Sequence, residues 1–295
     1  MIARSFIVLA ALLTSVPVRA GVASIWAVGD GEKISRDPRP GPLKARNAVW
    51  DGRRVTLFGA RNEILAFQVI VEADGKGIGA LAIALPELRQ RGGSGRIAYV
   101  PPRADPSDSV GRPLQLFAVN YLNVTQPTHA DWAWAPGSAA APRDGLGWQP
   151  VQLVPENARV GRGGLPVKVG SALNQALWIE IYTGRDLPAG IYEGTITVSA
   201  DGRKTDLPVE LELLDFALPD RNSLDVMVFY EPHQPELYQG KNLDPAYHRF
   251  AHRNRVELVH AYDEAAVRAS RGRFDGTDFT RARAATKDQA RAWAT

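Results

Sequence analysis

The segment from Gln175 to Asp215 constrains the fold more than any other part of the chain, because apolar and polar residues alternate through it with turn residues between. Ala176, Trp178, Glu180 and Tyr182 occupy one face of a first run, and Leu177, Ile179 and Ile181 the other, which is the period of a strand. Leu187-Pro188-Ala189-Gly190 supplies turn chemistry, after which Tyr192, Gly194, Ile196 and Val198 resume the period. Asp201-Gly202 is a two-residue hairpin signal, and Leu207 to Leu214 returns as a third strand. The pattern predicts three strands of one antiparallel sheet with a single buried face. No cluster of groups able to do chemistry lies inside it, so the stretch reads as scaffold.

Short strands recur upstream. Val22 to Val28 carries Trp26, a Gly/Lys/Pro-rich loop runs through Pro42, and Val49 to Phe58 reads as a hairpin around Asp51-Gly52. Ile64 to Ala73 places Phe67, Val69 and Val71 on one face. Leu81 to Leu88 and Ile97 to Val100 are weaker strands, and Leu114 to Val124 is a strongly apolar one. This spacing is that of a β-sandwich. Between Thr125 and Gly164 the chain turns Pro/Gly/Ala-rich and reads as a long loop bearing Trp132, Trp134 and Trp148. Indole faces in such a loop either stack on sugar rings or plug the loop against the sheet beneath.

At the N-terminus Arg4 precedes the apolar run Phe6 to Leu13, and Val18-Arg19-Ala20 offers small residues where a signal peptidase reads, so residues 1–20 are expected to be a signal peptide. The run is shorter than the roughly 20 apolar residues a membrane span needs. The mature protein is then periplasmic or secreted, with no membrane span. It contains no Cys, which excludes disulfides, thiolate metal sites and a cysteine nucleophile. An apolar core must hold it instead, and 45% hydrophobic residues make that feasible. There are 35 Lys and Arg against 32 Asp and Glu, and losing Arg4 and Arg19 leaves 33 against 32. With no basic stripe and near-neutral balance, nucleic acid is not an expected partner. No metal or cofactor is expected either.

The pattern switches after Leu218-Pro219-Asp220-Arg221-Asn222-Ser223. Leu224 to Tyr230 is apolar apart from Asp225, as in a strand covered on both faces. Asp244-Pro245 reads as an N-cap and first helical residue, followed by Tyr247, Phe250 and Ala251 at helical spacing. Val256 to Tyr262 is the next strand and Asp263 to Arg271 the next helix, which starts a βαβα array. The expected organisation is a signal peptide over 1–20, a β-sandwich over 21–219, and a partial βα segment over 224–295 whose tail, 281–295, is Ala- and Arg-rich.

Several motifs carry a resemblance. Gly59-Ala-Arg-Asn-Glu-Ile-Leu-Ala-Phe-Gln-Val69, Trp148-Gln-Pro-Val-Gln-Leu-Val-Pro155, Trp178, Leu187-Pro-Ala-Gly-Ile-Tyr-Glu-Gly194 and Leu218-Pro219 resemble the N-terminal β-sandwich of glycoside hydrolase family 123-like proteins. The resemblance covers about residues 22 to 265. It implies an exported protein in which a sandwich precedes a (β/α)8 barrel. The implied reaction is hydrolysis of a β-linked N-acetylhexosamine, with the substrate's own acetamido oxygen as nucleophile, an Asp orienting it and an adjacent Glu as general acid. Relatives often carry Pro-Asp before the Leu-x-Pro of the loop, whereas Val151 follows Pro150 here.

Asp263-Glu264 is such a pair, at the C-terminal end of the second barrel-like strand, the face where barrels do catalysis. The same two residues also suit an N-cap and a first helical turn. Tyr230, Glu231, His260 and Tyr262 end the two strands and are candidates to touch a carbohydrate, as are Trp132 and Trp134. His248 and His252 share a helix face at zinc-ligand spacing, but Arg249 stands where a zinc protease needs Glu, so a plain helix surface is the expectation. Only 72 residues follow Ser223, against the roughly 250 of a complete barrel. The fold expected is therefore mainly β, an antiparallel β-sandwich followed by the first βα units of an incomplete barrel. Two functions compete: the accessory sandwich of a truncated and inactive glycoside hydrolase-like protein, or a non-catalytic carbohydrate-binding or envelope structural module. Oligomeric state is left open.

Overall fold

The computed structural model describes residues 21–103, 111–127, 135, 138–140, 143, 145–159, 161–219, 227–231, 233–241 and 243–259. Its strands are, in order, β1 (Val22–Gly29), β2 (Val55–Arg61), β3 (Glu63–Ala73), β4 (Ile78–Ala84), β5 (Glu87–Gln90), β6 (Arg96–Ala98) and β7 (Leu114–Val124). They continue as β8 (Gly147–Pro155), β9 (Val167–Val169), β10 (Asn174–Thr183), β11 (Gly190–Ala200), β12 (Arg203–Ala217) and β13 (Met227–Phe229). Helices α1 (His233–Gln239) and α2 (Asp244–Arg253) precede β14 (Glu257–Val259).

The protein is mainly β. One sheet has five strands in the order β1-β3-β10-β7-β8, and all its pairs are antiparallel. The other runs β2-β12-β11-β4-β9, with β5 attached to β11 and β6 to β5, and it is mixed because β2 lies parallel to β12. Phe67, Val69, Leu177, Ile179 and Leu116 from the first sheet join Leu81, Tyr192, Ile196, Val209 and Leu211 from the second in one buried cluster. Each such side chain contributes about 1.5–3 kcal/mol on leaving water.

Two expectations need correction. The run from Gln175 to Asp215 does not form one sheet. Strand β10 pairs with β3 and β7, whereas β11 and β12 belong to the other sheet, so Leu187 to Gly190 carries the chain across the core between layers. Alternation alone reports that a residue pair straddles a strand, not which strand lies beside it. The hairpin at Asp201-Gly202 does form, with both residues at positive φ (49° and 78°), as the primed turns require. The second correction concerns 125–164, which is not loop throughout: β8 pairs with β7 from Val124↔Gly147 to Phe117↔Pro155, with an irregularity at Asn120/Tyr121.

Strands β3 and β10 are buried on both faces, which explains why they lack clean polar alternation. The outer face of their sheet is covered by the segment after β1. Gln68 donates to the carbonyls of Gly29 and Glu32, and Asn174 donates to that of Ser35. Lys44 closes the edge against Glu72 at 2.5 Å. The Asp51-Gly52 hairpin shrinks to a single bridge, Trp50↔Val55.

Beyond the two sheets, β13 and β14 form a parallel pair with α1 and α2 between them in sequence, a single βαβ connection. Helix α2 begins at Asp244, one residue before the Pro245 that the sequence marks as its first helical position. The residues expected to continue the array, 260–295, lie outside the described residues, as do 1–20 and 220–226.

Candidate functional site

Named motif residues gather where β12 leaves the sheets. The turn between β2 and β3 is the single residue Asn62, fully buried and left-handed at φ 60°, a conformation Asn tolerates better than most residues. Every polar group of Asn62 is engaged. Its amide N–H donates to the Thr183 carbonyl at 2.5 Å, and its side-chain amide donates to the Leu218 carbonyl at 2.9 Å. Its side-chain oxygen accepts from the Tyr182 hydroxyl at 2.9 Å, and its backbone carbonyl accepts from Arg255 at 2.6 Å. The other arm of the Arg255 guanidinium reaches the Pro219 carbonyl at 2.7 Å. Glu63 folds back to accept from the Ala60 amide at 2.7 Å. A Cβ on Gly59 would stand 2.7 Å from the methyl groups of Leu65, so a larger residue there would push the end of that side chain aside.

A buried ion pair adds to this junction. Glu180, on the outer face of β10, meets Arg253 at the end of α2 at 2.9 Å, and both side chains are about one-tenth exposed. Trp178 donates to the other Glu180 oxygen at 3.3 Å. Charges this deep persist only when paired, so the contact fixes where α2 can sit on the sheet.

Beside the junction opens a cleft of about 260 Å³, whose described lining is Tyr182, Gly184, Leu187, Ile64, Ile97, Arg96, Arg253 and the loop Gly111-Arg112-Pro113. Arg112 is buried and donates to the Val100 carbonyl at 3.2 Å and to Glu156 at 3.3 Å. The Tyr99 hydroxyl donates to the second Glu156 oxygen at 2.8 Å. Burial pushes the Glu156 carboxyl above its usual range, against the pull of the Tyr99 hydrogen bond and the Arg112 charge. Burial, and then Glu156, push the Tyr99 hydroxyl up to about 12. The described lining presents guanidinium groups and no carboxylate, which suits holding an anion and not the paired carboxyl chemistry of a glycosidase.

No family model matches the chain. No curated protein matches it either. Among solved structures it is similar to a family 123 glycoside hydrolase from Clostridium perfringens, with a TM-score of 0.47 and 12% identity over 64% of this chain and 28% of that one. The chain thus spans little more than a quarter of that hydrolase. It is also similar to the CooA pilin subunit of enterotoxigenic Escherichia coli, at TM-score 0.23 and 14% identity, over 56% of this chain and 90% of that one. CfaE, the adhesive subunit of CFA/I fimbria from the same organism, aligns at TM-score 0.22 and 11% identity, covering 55% and 46% of the two chains. These three TM-scores all lie below 0.5.

Of the sequence candidates, Tyr230 and Glu231 fall among the described residues. The Tyr230 ring stacks on Tyr247, with centroids 5.8 Å apart, and meets the His248 ring edge-on at 5.7 Å, so it packs β13 against α2. Glu231 stands at the start of α1, where its carbonyl accepts from the Gln234 amide at 3.1 Å and its carboxylate lies 3.6 Å from His233. Neither residue lines the cleft. His248 is buried under Tyr230, and the described residues contain no group of three or more His, Asp or Glu suited to a metal. Trp132, Trp134, His260, Tyr262, Asp263 and Glu264 lie outside the described residues. Trp148 is on β8, with the Arg36 guanidinium 3.6 Å above its ring.

The junction residues Asn62, Glu180, Arg253 and Arg255 are absent from the sequence candidates. Two signals pointed to them. Asn62 separates two apolar runs, and Glu180 is a charge inside a strand with apolar residues on both faces.

Proposed function

We propose that this chain is the non-catalytic accessory β-sandwich of an exported glycoside hydrolase-like protein, with residues 21–219 as a platform for a barrel-type βα domain beginning near residue 224. The observation that carries the reading is the convergence at one junction of the motif residues Asn62, Glu63 and Leu218-Pro219, where the carbonyls of Asn62 and Pro219 hold Arg255, together with the Glu180–Arg253 pair. Motifs serving catalysis would surround a cleft with two carboxyl functions; these tie side chains to backbone at the exit of the sandwich. The platform's work is to hold the next domain in one orientation, and the chain by itself performs no hydrolysis.

Limited proteolysis tests the platform role. In Arg255→Ala and Glu180→Ala, cleavage between residues 219 and 260 is expected to accelerate while the sheets stay intact; simultaneous loss of both regions would sink the reading. A chromogenic aryl N-acetyl-β-galactosaminide tests the second part. The expected result is no release of chromophore, and turnover by the 295-residue chain would restore Asp263 and Glu264 as a catalytic pair.

A further inference from the structure

The cleft beside the junction has a composition that the platform role does not require. Three arginines, Arg96, Arg112 and Arg253, line one small space together with Ile64, Ile97, Pro113, Tyr182, Leu187 and two glycines. Two of the three are deeply set: the Arg112 side chain is 3% exposed and that of Arg253 10%. Each arginine is held by a glutamate that is not among the described lining residues. Glu156 holds Arg112, Glu180 holds Arg253, and Glu87 holds Arg96 at 2.6 Å. A guanidinium braced in this way keeps its planar fork in one orientation, and such forks match a carboxylate with paired N–H donors.

The rest of the cleft limits the ligand. At about 260 Å³ it lies just below the roughly 300 Å³ at which pockets for drug-sized ligands begin, so it takes a small molecule and not a polymer. Its aliphatic and aromatic walls favour an apolar body and disfavour a small, fully hydrated anion. We propose that the cleft is a binding site for a small organic carboxylate with an apolar body, its carboxylate on Arg112, Arg253 and Arg96 and its body against Ile64, Ile97 and Leu187. Because Arg253 belongs to α2 and Tyr182 and Ile64 to the sheet, an occupant touches both sides of the junction. Binding then tightens the hold of the sheets on α2 by mass action. The inference rests on the cleft alone, so it stands or falls separately from the platform reading.

The test is calorimetric titration of the 295-residue chain with benzoate, using benzamide as the uncharged isostere. Saturable binding of benzoate without binding of benzamide is expected. Arg96→Gln, at an exposed position where folding is not at stake, is expected to weaken benzoate by roughly tenfold through loss of a charged hydrogen-bond donor. Leu187→Trp, which fills the cleft and leaves every charge in place, is expected to abolish binding. Equal affinity for the two probes, no saturation by about 10 mM benzoate, or benzoate binding unchanged in both variants would each overturn the proposal.

Discussion

The two-sheet body and the segment 227–259 handle apolar residues in opposite ways. In the body, no residue of β3 or β10 is fully exposed, and Phe67, Leu177 and Ile179 have no exposure at all. In the segment, Val228 is 46% exposed, Phe250 62% and Tyr238 80%. The body closes its own core, whereas nothing among the described residues covers these apolar side chains. A parallel pair of strands with its helices gains its stability from neighbours, and here the neighbour supplies polar contacts, through Arg253 and Arg255, more than apolar ones.

That contrast can be broken from the body outward. Phe67→Ala leaves a cavity in the centre of the core and is expected to cost about 3–5 kcal/mol, read as a lower denaturant midpoint. Glu180→Ala strands the Arg253 charge in a buried place and is expected to cost about 3 kcal/mol. Arg253→Met added to Glu180→Ala should recover part of that loss in a double-mutant cycle; no recovery would mean the pair is not the unit that holds α2.

A pH series sharpens the comparison within the body. Burial raises the folded-state pKa of Glu156, so the folded state holds its proton more tightly than the unfolded chain and stability falls as pH rises above the ordinary value of 4.5. Glu156→Gln should therefore become more favourable relative to the parent between pH 4.5 and 7. Glu72 has the opposite sign. Burial alone would raise it, but the hydrogen bonds from Lys44 and other neighbours outweigh that and lower it. Its contribution is present above 4.5 and lost as pH falls, so Glu72→Gln should hurt more at pH 7 than at pH 3. Denaturant melts at the three pH values check both, and parallel behaviour would refute the assignment. The smallest effect belongs to the segment: Phe250→Ser, at an exposed site, should change stability by no more than about 0.5 kcal/mol.

Much of this was legible because local chemistry decides it. The apolar run Leu114 to Val124 is a strand with those bounds, Asp201-Gly202 closes its hairpin, and Asp244 opens α2. What was not legible depends on partners distant in sequence. Nothing near Leu187 says that the chain there crosses from one sheet to the other, because both faces of β10 find cover from strands and loops far away. Strand β8 hid among Pro and Gly because its residues are mostly half-exposed at a sheet edge, where apolar alternation is weak. The junction shows the same limit, since Asn62 and Arg255 are 193 positions apart and meet only through the fold.

Asn62 has a mechanical consequence. Strand β12 ends at Ala217, and a pull on the chain beyond Pro219 would ordinarily peel such a strand from its end, one bond at a time. Here the Leu218 carbonyl is tied to Asn62, and Asn62 in turn to Thr183 on β10. Tension arriving from the C-terminal side is therefore handed from one sheet to the other before β12 is loaded, and several bonds must yield together instead of in succession.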